Sequence, residues 1–196
     1  MKRYVMSALC ATVVLGSSAA SAQTPPAQPA PSGPPPPTTF AMFLKAQNNT
    51  IKGNLIASAE KMPEQSYAFK PTPEVRSFGE LVGHVVDANY GFCSRVKGEA
   101  SPAAGKSFEK VTAKADLVKG IKDAVAYCDP VYAALTDANV VEMIKVPGPN
   151  NTQREIARAN QLTFNLAHNN EHYGNIVTYL RLKGLVPPSS EPPPSR

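Results

Sequence analysis

One stretch limits what this chain can fold into more than any other. From Ala159 to Val186, Leu162, Leu166, Tyr173, Val177 and Leu180 recur at spacings of three and four. That spacing draws one apolar face along an α-helix. His168 and His172 stand four apart in the same stretch, so they lie one turn above the other. At about 100° per residue they fall roughly 110° from the centre of the apolar stripe, in line with Gln161, Asn165 and Asn175. Two imidazoles on a polar edge can aim two ring nitrogens at one point, which suits a metal ion.

The third and last histidine of the chain is His84. It sits in a second helix-period stretch whose stripe is Phe78, Leu81, Val82, Val85 and Phe92. His84 falls roughly 120° from the centre of that stripe, again at its edge. If these two helices pack through their stripes, three imidazoles converge. Three histidines with one open position form the ligand set of a catalytic zinc centre.

The remaining helices follow from caps, breakers and stripes. Helix one is expected from about Thr39 to Lys61, with Phe40, Phe43, Leu44, Ile51, Leu55 and Ile56 inward and Lys45, Asn48, Asn49 and Lys52 on the wet side. Pro63 ends it by disfavouring helix at Met62. Ser77 and Glu80 form a capping box that opens helix two, which runs to about Lys97 and stops at Gly98. Helix three is expected over about Lys114 to Leu135, bent at Pro130, with Cys128 on its stripe. A loop from Thr136 to Asn151 follows, with Val140 to Val146 a candidate extended piece. Thr152 and Glu155 read as a second capping box that opens helix four, closed by Lys183 and Gly184. Strand alternation is absent over any long stretch, so the fold class is all-α, a four-helix bundle.

The segments carrying the histidines resemble the DinB-like superfamily. The resemblance rests on the Ser77-Phe-Gly-Glu-Leu-Val-Gly-His84 start, the His168-x-x-x-His172 helix running into Gly174-Asn-Ile-Val-Thr-Tyr-Leu-Arg-Leu-Lys-Gly-Leu-Val-Pro-Pro188, and the connector Met62 to Ser77. It covers about residues 40–186. It implies a DinB-like four-helix bundle that holds one divalent metal ion through His84, His168 and His172. Zinc is the first expectation, with nickel, iron and manganese open. Some relatives transfer low-molecular-weight thiols or isomerise small acids, and many have no assigned activity, so the resemblance does not set the reaction.

Both ends of the chain differ in character. Lys2 and Arg3, the short apolar run Val5 to Leu15, and Ala20-Ser21-Ala22 read as a signal peptide over residues 1–22, so an exported, periplasmic or secreted protein is expected. Ser7-Ala8-Leu9 makes a poor lipid-attachment context for Cys10. Residues 23–39 hold eight prolines and are expected to be a disordered spacer, and residues 187–196 form a second proline-rich tail. Loss of the leader removes Lys2 and Arg3 and lowers the formal charge from +5 to +3. No dense basic run is interleaved with aromatics, so no nucleic-acid role is expected. After export, Cys93 and Cys128 are an even pair, expected to bridge helices two and three.

Motifs narrow the chemistry further. Glu171 precedes His172 instead of following His168, so the base of a zinc-protease helix is missing and Glu171 is expected in solvent. There is no Gly-x-Ser-x-Gly elbow and no convincing cysteine–histidine pair. Any chemistry then falls to the metal, with Gln161 and Asn165 as candidates to orient a ligand or as plain solvated surface. Two readings remain at this level: an exported metal-dependent enzyme acting on a small thiol or similar molecule, and a non-catalytic metal-binding or interaction module. The substrate, and whether the protein forms a homodimer, stay open.

Overall fold

Thr39 begins the described bundle: its hydroxyl accepts from the amide of Met42 at 3.3 Å and caps α1, Phe40–Lys61. The computed structural model of the chain describes residues 38–192. The leader expected over 1–22, the spacer up to residue 37 and the end of the tail, 193–196, lie outside the described residues. The other helices are α2, Phe78–Lys97; α3, Lys114–Ala133; and α4, Arg158–Leu182. α2 lies against both α3 and α4, and α1 packs on the same two helices from the other side. The four-helix bundle expected from the stripes is present. Among the described residues no helix is long and apolar enough to cross a membrane.

Caps and breakers act largely where the sequence places them. The Ser77 amide donates to Glu80 Oε2 at 2.6 Å and the Glu80 amide to Ser77 Oγ at 3.2 Å, a complete capping box. Gly98 and Gly184 close α2 and α4 with φ of 71° and 72°, a conformation that costs glycine little. Pro130 lies inside α3, which runs on past it to Ala133, and Leu135 is buried in the turn beyond.

Two expectations about α1 are corrected. Phe40 and Phe43 are about half exposed, while Asn48, assigned to the wet side, is buried. The inward row is Ala41, Leu44, Asn48, Ile51, Leu55 and Ser58, a steady alternation of threes and fours. The bulky phenylalanines fall outside that register, and Asn48 falls within it.

The segment before α4 also differs. Thr152 and Glu155 do not cap the helix. Residues Gln153–Ala157 form strand β2, antiparallel to β1, Met143–Pro147, with Ile144 opposite Ile156. The expected extended piece is therefore one arm of a hairpin. The Thr152 hydroxyl donates to the Pro149 carbonyl at 2.6 Å and is spent on the turn. Pairing five residues on each arm satisfies more backbone groups than one capping box can. Arg158 opens α4 with no side-chain cap, and its amide donates instead to the Glu142 carbonyl at 2.8 Å.

The bundle interior holds Leu44, Phe78, Val82, Val85, Leu117, Ile121, Leu162, Ile176 and Leu180, all buried. Cys93 and Cys128 form a disulfide across α2 and α3 with Cα atoms 5.4 Å apart, as expected. Beside it runs a buried polar seam. Asn89 and Asn169 exchange two amide hydrogen bonds of 3.0 Å, and Asn165 donates to the Tyr132 hydroxyl at 3.1 Å. Of the row on α4 that reads as a polar edge, Gln161, Asn165 and His172 are in fact inside the bundle, while Asn175 stays exposed.

Candidate metal centre

His84 on α2 and His168 and His172 on α4 meet where these helices face each other. His84 Nε2 lies 3.1 Å from His168 Nε2, and His172 Nε2 lies 3.1 Å from the same atom. One ligand atom from each ring falls within 4.8 Å of the others. Three nitrogens bonded at 2.0–2.1 Å to a tetrahedral zinc stand about 3.3–3.4 Å apart. The donor set and its convergence fit a single divalent ion. His172 is buried, and His84 and His168 are partly covered.

Protonation favours the same state. Burial, followed by the proximity of His172, His84 and Arg76, pushes His168 down to about 4. Burial first and then His84 also lower His172. Both rings are thus neutral at neutral pH, the form that offers a lone pair to a metal.

One side chain absent from the sequence reading completes the arrangement. Glu109 Oε1 accepts from His84 Nδ1 at 2.6 Å. This bond places the proton of a neutral His84 on Nδ1 and turns its Nε2 lone pair toward the other two rings. Arg76 Nε donates to the other carboxylate oxygen at 3.1 Å. Burial works against the Glu109 charge, but the bonds from His84 and Arg76 outweigh it and hold the carboxyl below its ordinary range.

The sequence of α2 explains how Glu109 arrives there. It sits in a 3₁₀ turn, Phe108–Lys110, laid across α2. At Gly83 an added Cβ would stand 2.2 Å from the Phe108 carbonyl oxygen, so only glycine lets this turn approach. One turn on from Gly83, Asp87 accepts from the Phe108 amide at 2.9 and 3.0 Å through its two oxygens. Gly83, His84 and Asp87 thus supply room, ligand and anchor. Gly83 and Asp87 flank His84 in sequence and were the available signal. Nothing local marks Glu109, which lies 25 residues away.

The other two rings are held less completely. His168 Nδ1 and His172 Nδ1 are buried without a hydrogen-bond partner among the described residues, so only His84 has its second nitrogen held. Gln161 and Asn165 are neither solvated nor at the centre; both are buried, and Asn165 is bonded to Tyr132. Glu171 is exposed, as expected.

A cavity of about 690 Å³ opens against His172. Asn175, Thr178 and Tyr179 of α4 line one side, and Pro71, Thr72, Glu74, Val75 and Arg76 of the α1–α2 connector line the other. The Tyr179 hydroxyl donates to the Arg76 carbonyl at 2.6 Å and ties the connector to α4.

A profile of the DinB superfamily matches residues 50–176, which takes in all three histidines and most of the bundle. The chain belongs to the DinB superfamily. Solved structures share its fold. A DinB-like protein from Bacillus cereus is 18% identical with a TM-score of 0.61, over 77% of this chain and 97% of that one. A DinB-like protein from Bacillus subtilis is 23% identical with a TM-score of 0.57, over 72% of this chain and 92% of the other. A conserved protein from Enterococcus faecalis is 13% identical with a TM-score of 0.57, over 74% and 96%. No curated protein gives a significant match. For this DinB superfamily member, identities this low carry the bundle alone.

Proposed function

We propose that this chain is an exported metalloprotein of the DinB superfamily that holds one divalent ion, zinc first, through Nε2 of His84, His168 and His172. The observation that carries this reading is the convergence of three imidazoles from two helices on one point. Export is supported by the charged start, apolar run and Ala-Ser-Ala ending of residues 1–22.

Of the two functional readings, metal-dependent chemistry on a small molecule is favoured over a purely structural ion. A structural zinc site is closed by four protein ligands, and this one has three, beside a cavity with polar walls. A divalent ion held there supplies Lewis acidity and lowers the pKa of a water or thiol that it binds. The chain's own residues orient and exclude. Glu109 fixes the His84 ring, and Phe92 packs edge-on to His168 at a centroid distance of 5.4 Å, shielding that flank from water. Transfer of a thiol to an electrophile fits such a site, and no side chain of this chain is assigned as a nucleophile; both buried cysteines are in the disulfide.

The test is metal analysis of protein purified from the periplasm without a histidine tag. One equivalent of a divalent metal, lost in His168→Ala, is expected. A metal-free protein that takes up no ion on titration rejects the reading.

A further inference from the structure

The cavity beside His172 has a charged group that neither the bundle nor the histidine cluster accounts for. Arg76 gives only its Nε to Glu109. Its two terminal nitrogens have no hydrogen-bond partner among the described residues, and its side chain is 45% exposed on the cavity wall. The residue is held in place twice, through Nε by Glu109 and through its carbonyl by Tyr179. Opposite it stand Asn175 and Thr178, while Leu81 and the Tyr179 ring supply an apolar wall. A guanidinium with one edge fixed and the other turned to a cavity presents a preorganised fork for an oxyanion.

We propose that Arg76 anchors the carboxylate of a small organic ligand whose other end occupies the open position beside the three histidines. The inference rests on the metal reading given above. Charge supports it. The only carboxylate among the cavity-lining residues is Glu74, which is exposed. With a divalent ion bound, Arg76, Glu74 and Glu109 together leave the site net positive, which suits a monoanion. The cavity is large enough for the apolar part of such a ligand to lie on Leu81 and Tyr179.

Cobalt-loaded protein tests this by absorption. Its visible bands report metal binding directly, and a sulfur-to-cobalt charge-transfer band reports a bound thiol. The probes are mercaptoacetate, mercaptopropionate and mercaptobutyrate, each against the mercaptoalcohol of the same chain length. At one of these lengths the wild-type protein is expected to bind the carboxylate about tenfold more tightly than the alcohol, the worth of one charge-assisted contact. Arg76→Gln, at saturating cobalt, is expected to lose that preference and keep its affinity for the alcohol. Glu109→Gln binds the metal more weakly, so it too is compared at saturating cobalt; it is expected to keep a preference for the carboxylate, because a glutamine oxygen still accepts from Arg76 Nε, whereas a role of Arg76 exerted only through the Glu109 charge would lose it. If Arg76→Gln does not fold, Arg76→Lys carries the comparison, with a preference between wild type and none. Equal binding of acids and alcohols at every length, or an undiminished preference in Arg76→Gln, overturns the proposal and leaves the metal reading standing. Absence of cobalt bands in the wild type overturns both.

Discussion

Glu109 reaches His84 across 2.6 Å although the two residues come from different elements, one from a 3₁₀ turn and the other from α2. The carboxylate holds the imidazole proton on Nδ1 and so keeps Nε2 directed at His168. Partners of this kind ordinarily change metal affinity by tens of fold when removed. Glu109→Gln is expected to weaken zinc binding about 10–100-fold in a competitive chelator titration. Unchanged affinity would show that the helices alone orient the ring.

Gly83→Ala tests how the turn is seated. The added methyl would meet the Phe108 carbonyl at 2.2 Å, and backbone cannot yield as a side chain can. The turn must move away from α2. A stability loss of about 1–3 kcal/mol is expected in urea unfolding, the ordinary cost of overpacking. Zinc affinity is expected to fall with it, toward that of Glu109→Gln. A variant as stable as the wild type would mean that the turn is not held against the helix in solution.

His168→Ala removes the ring that both other ligands approach. Stoichiometric zinc binding is expected to vanish while the helical circular-dichroism signal stays. The apolar core of α4, Leu162, Ile176 and Leu180, does not depend on this side chain. Retained one-to-one zinc would mean the ligands are misassigned.

The metal-free protein is expected to lose stability in mild acid. Burial lowers His168 from 6.5 to about 4, and His172 moves in the same direction. Above pH 6.5 both rings are neutral in the folded and unfolded chains, so their contribution is fully present. As pH falls from 6.5 toward 4, the unfolded chain takes up protons that the folded one refuses, and stability declines. Below about 4 the His168 contribution is spent. Urea midpoints measured across this window should fall with pH, and His168→Asn should flatten the slope. A wild-type slope equal to that of the variant would contradict the burial of the ring. Bound zinc should add to the steepness, because protons compete for its ligands.

The Cys93–Cys128 bridge closes a loop of 35 residues between two buried positions. The chain-entropy account gives roughly 3–4 kcal/mol for a loop of this size. Cys93→Ser with Cys128→Ser is expected to lower stability by that order. Ellman titration of exported protein in denaturant should find no free thiol; two would show that the bridge does not form in the cell.

What the sequence determined by itself is local and periodic. The stripes, the Ser77 cap, Gly98, Gly184 and Pro63 specify where helices run, because each acts within a turn or two of its own position. The four-residue spacing of His168 and His172 is likewise a property of one helix, and the two cysteines lay on faces already marked for packing. Tertiary structure decided the rest. Thr152 and Glu155 spell a cap, yet the strand Met143–Pro147 lies close enough to take Gln153–Ala157 into a hairpin. Gln161 and Asn165 spell a polar edge, yet both are buried, and Tyr132 comes from another helix to accept from the Asn165 amide inside the bundle. Glu109 and Arg76 carry no local signature, because their roles arise from which side chains α2 and α4 bring them to meet. Hydrophobic periodicity reports which face of an element is buried; the polar partners that meet at that face are set by packing between elements distant in the chain.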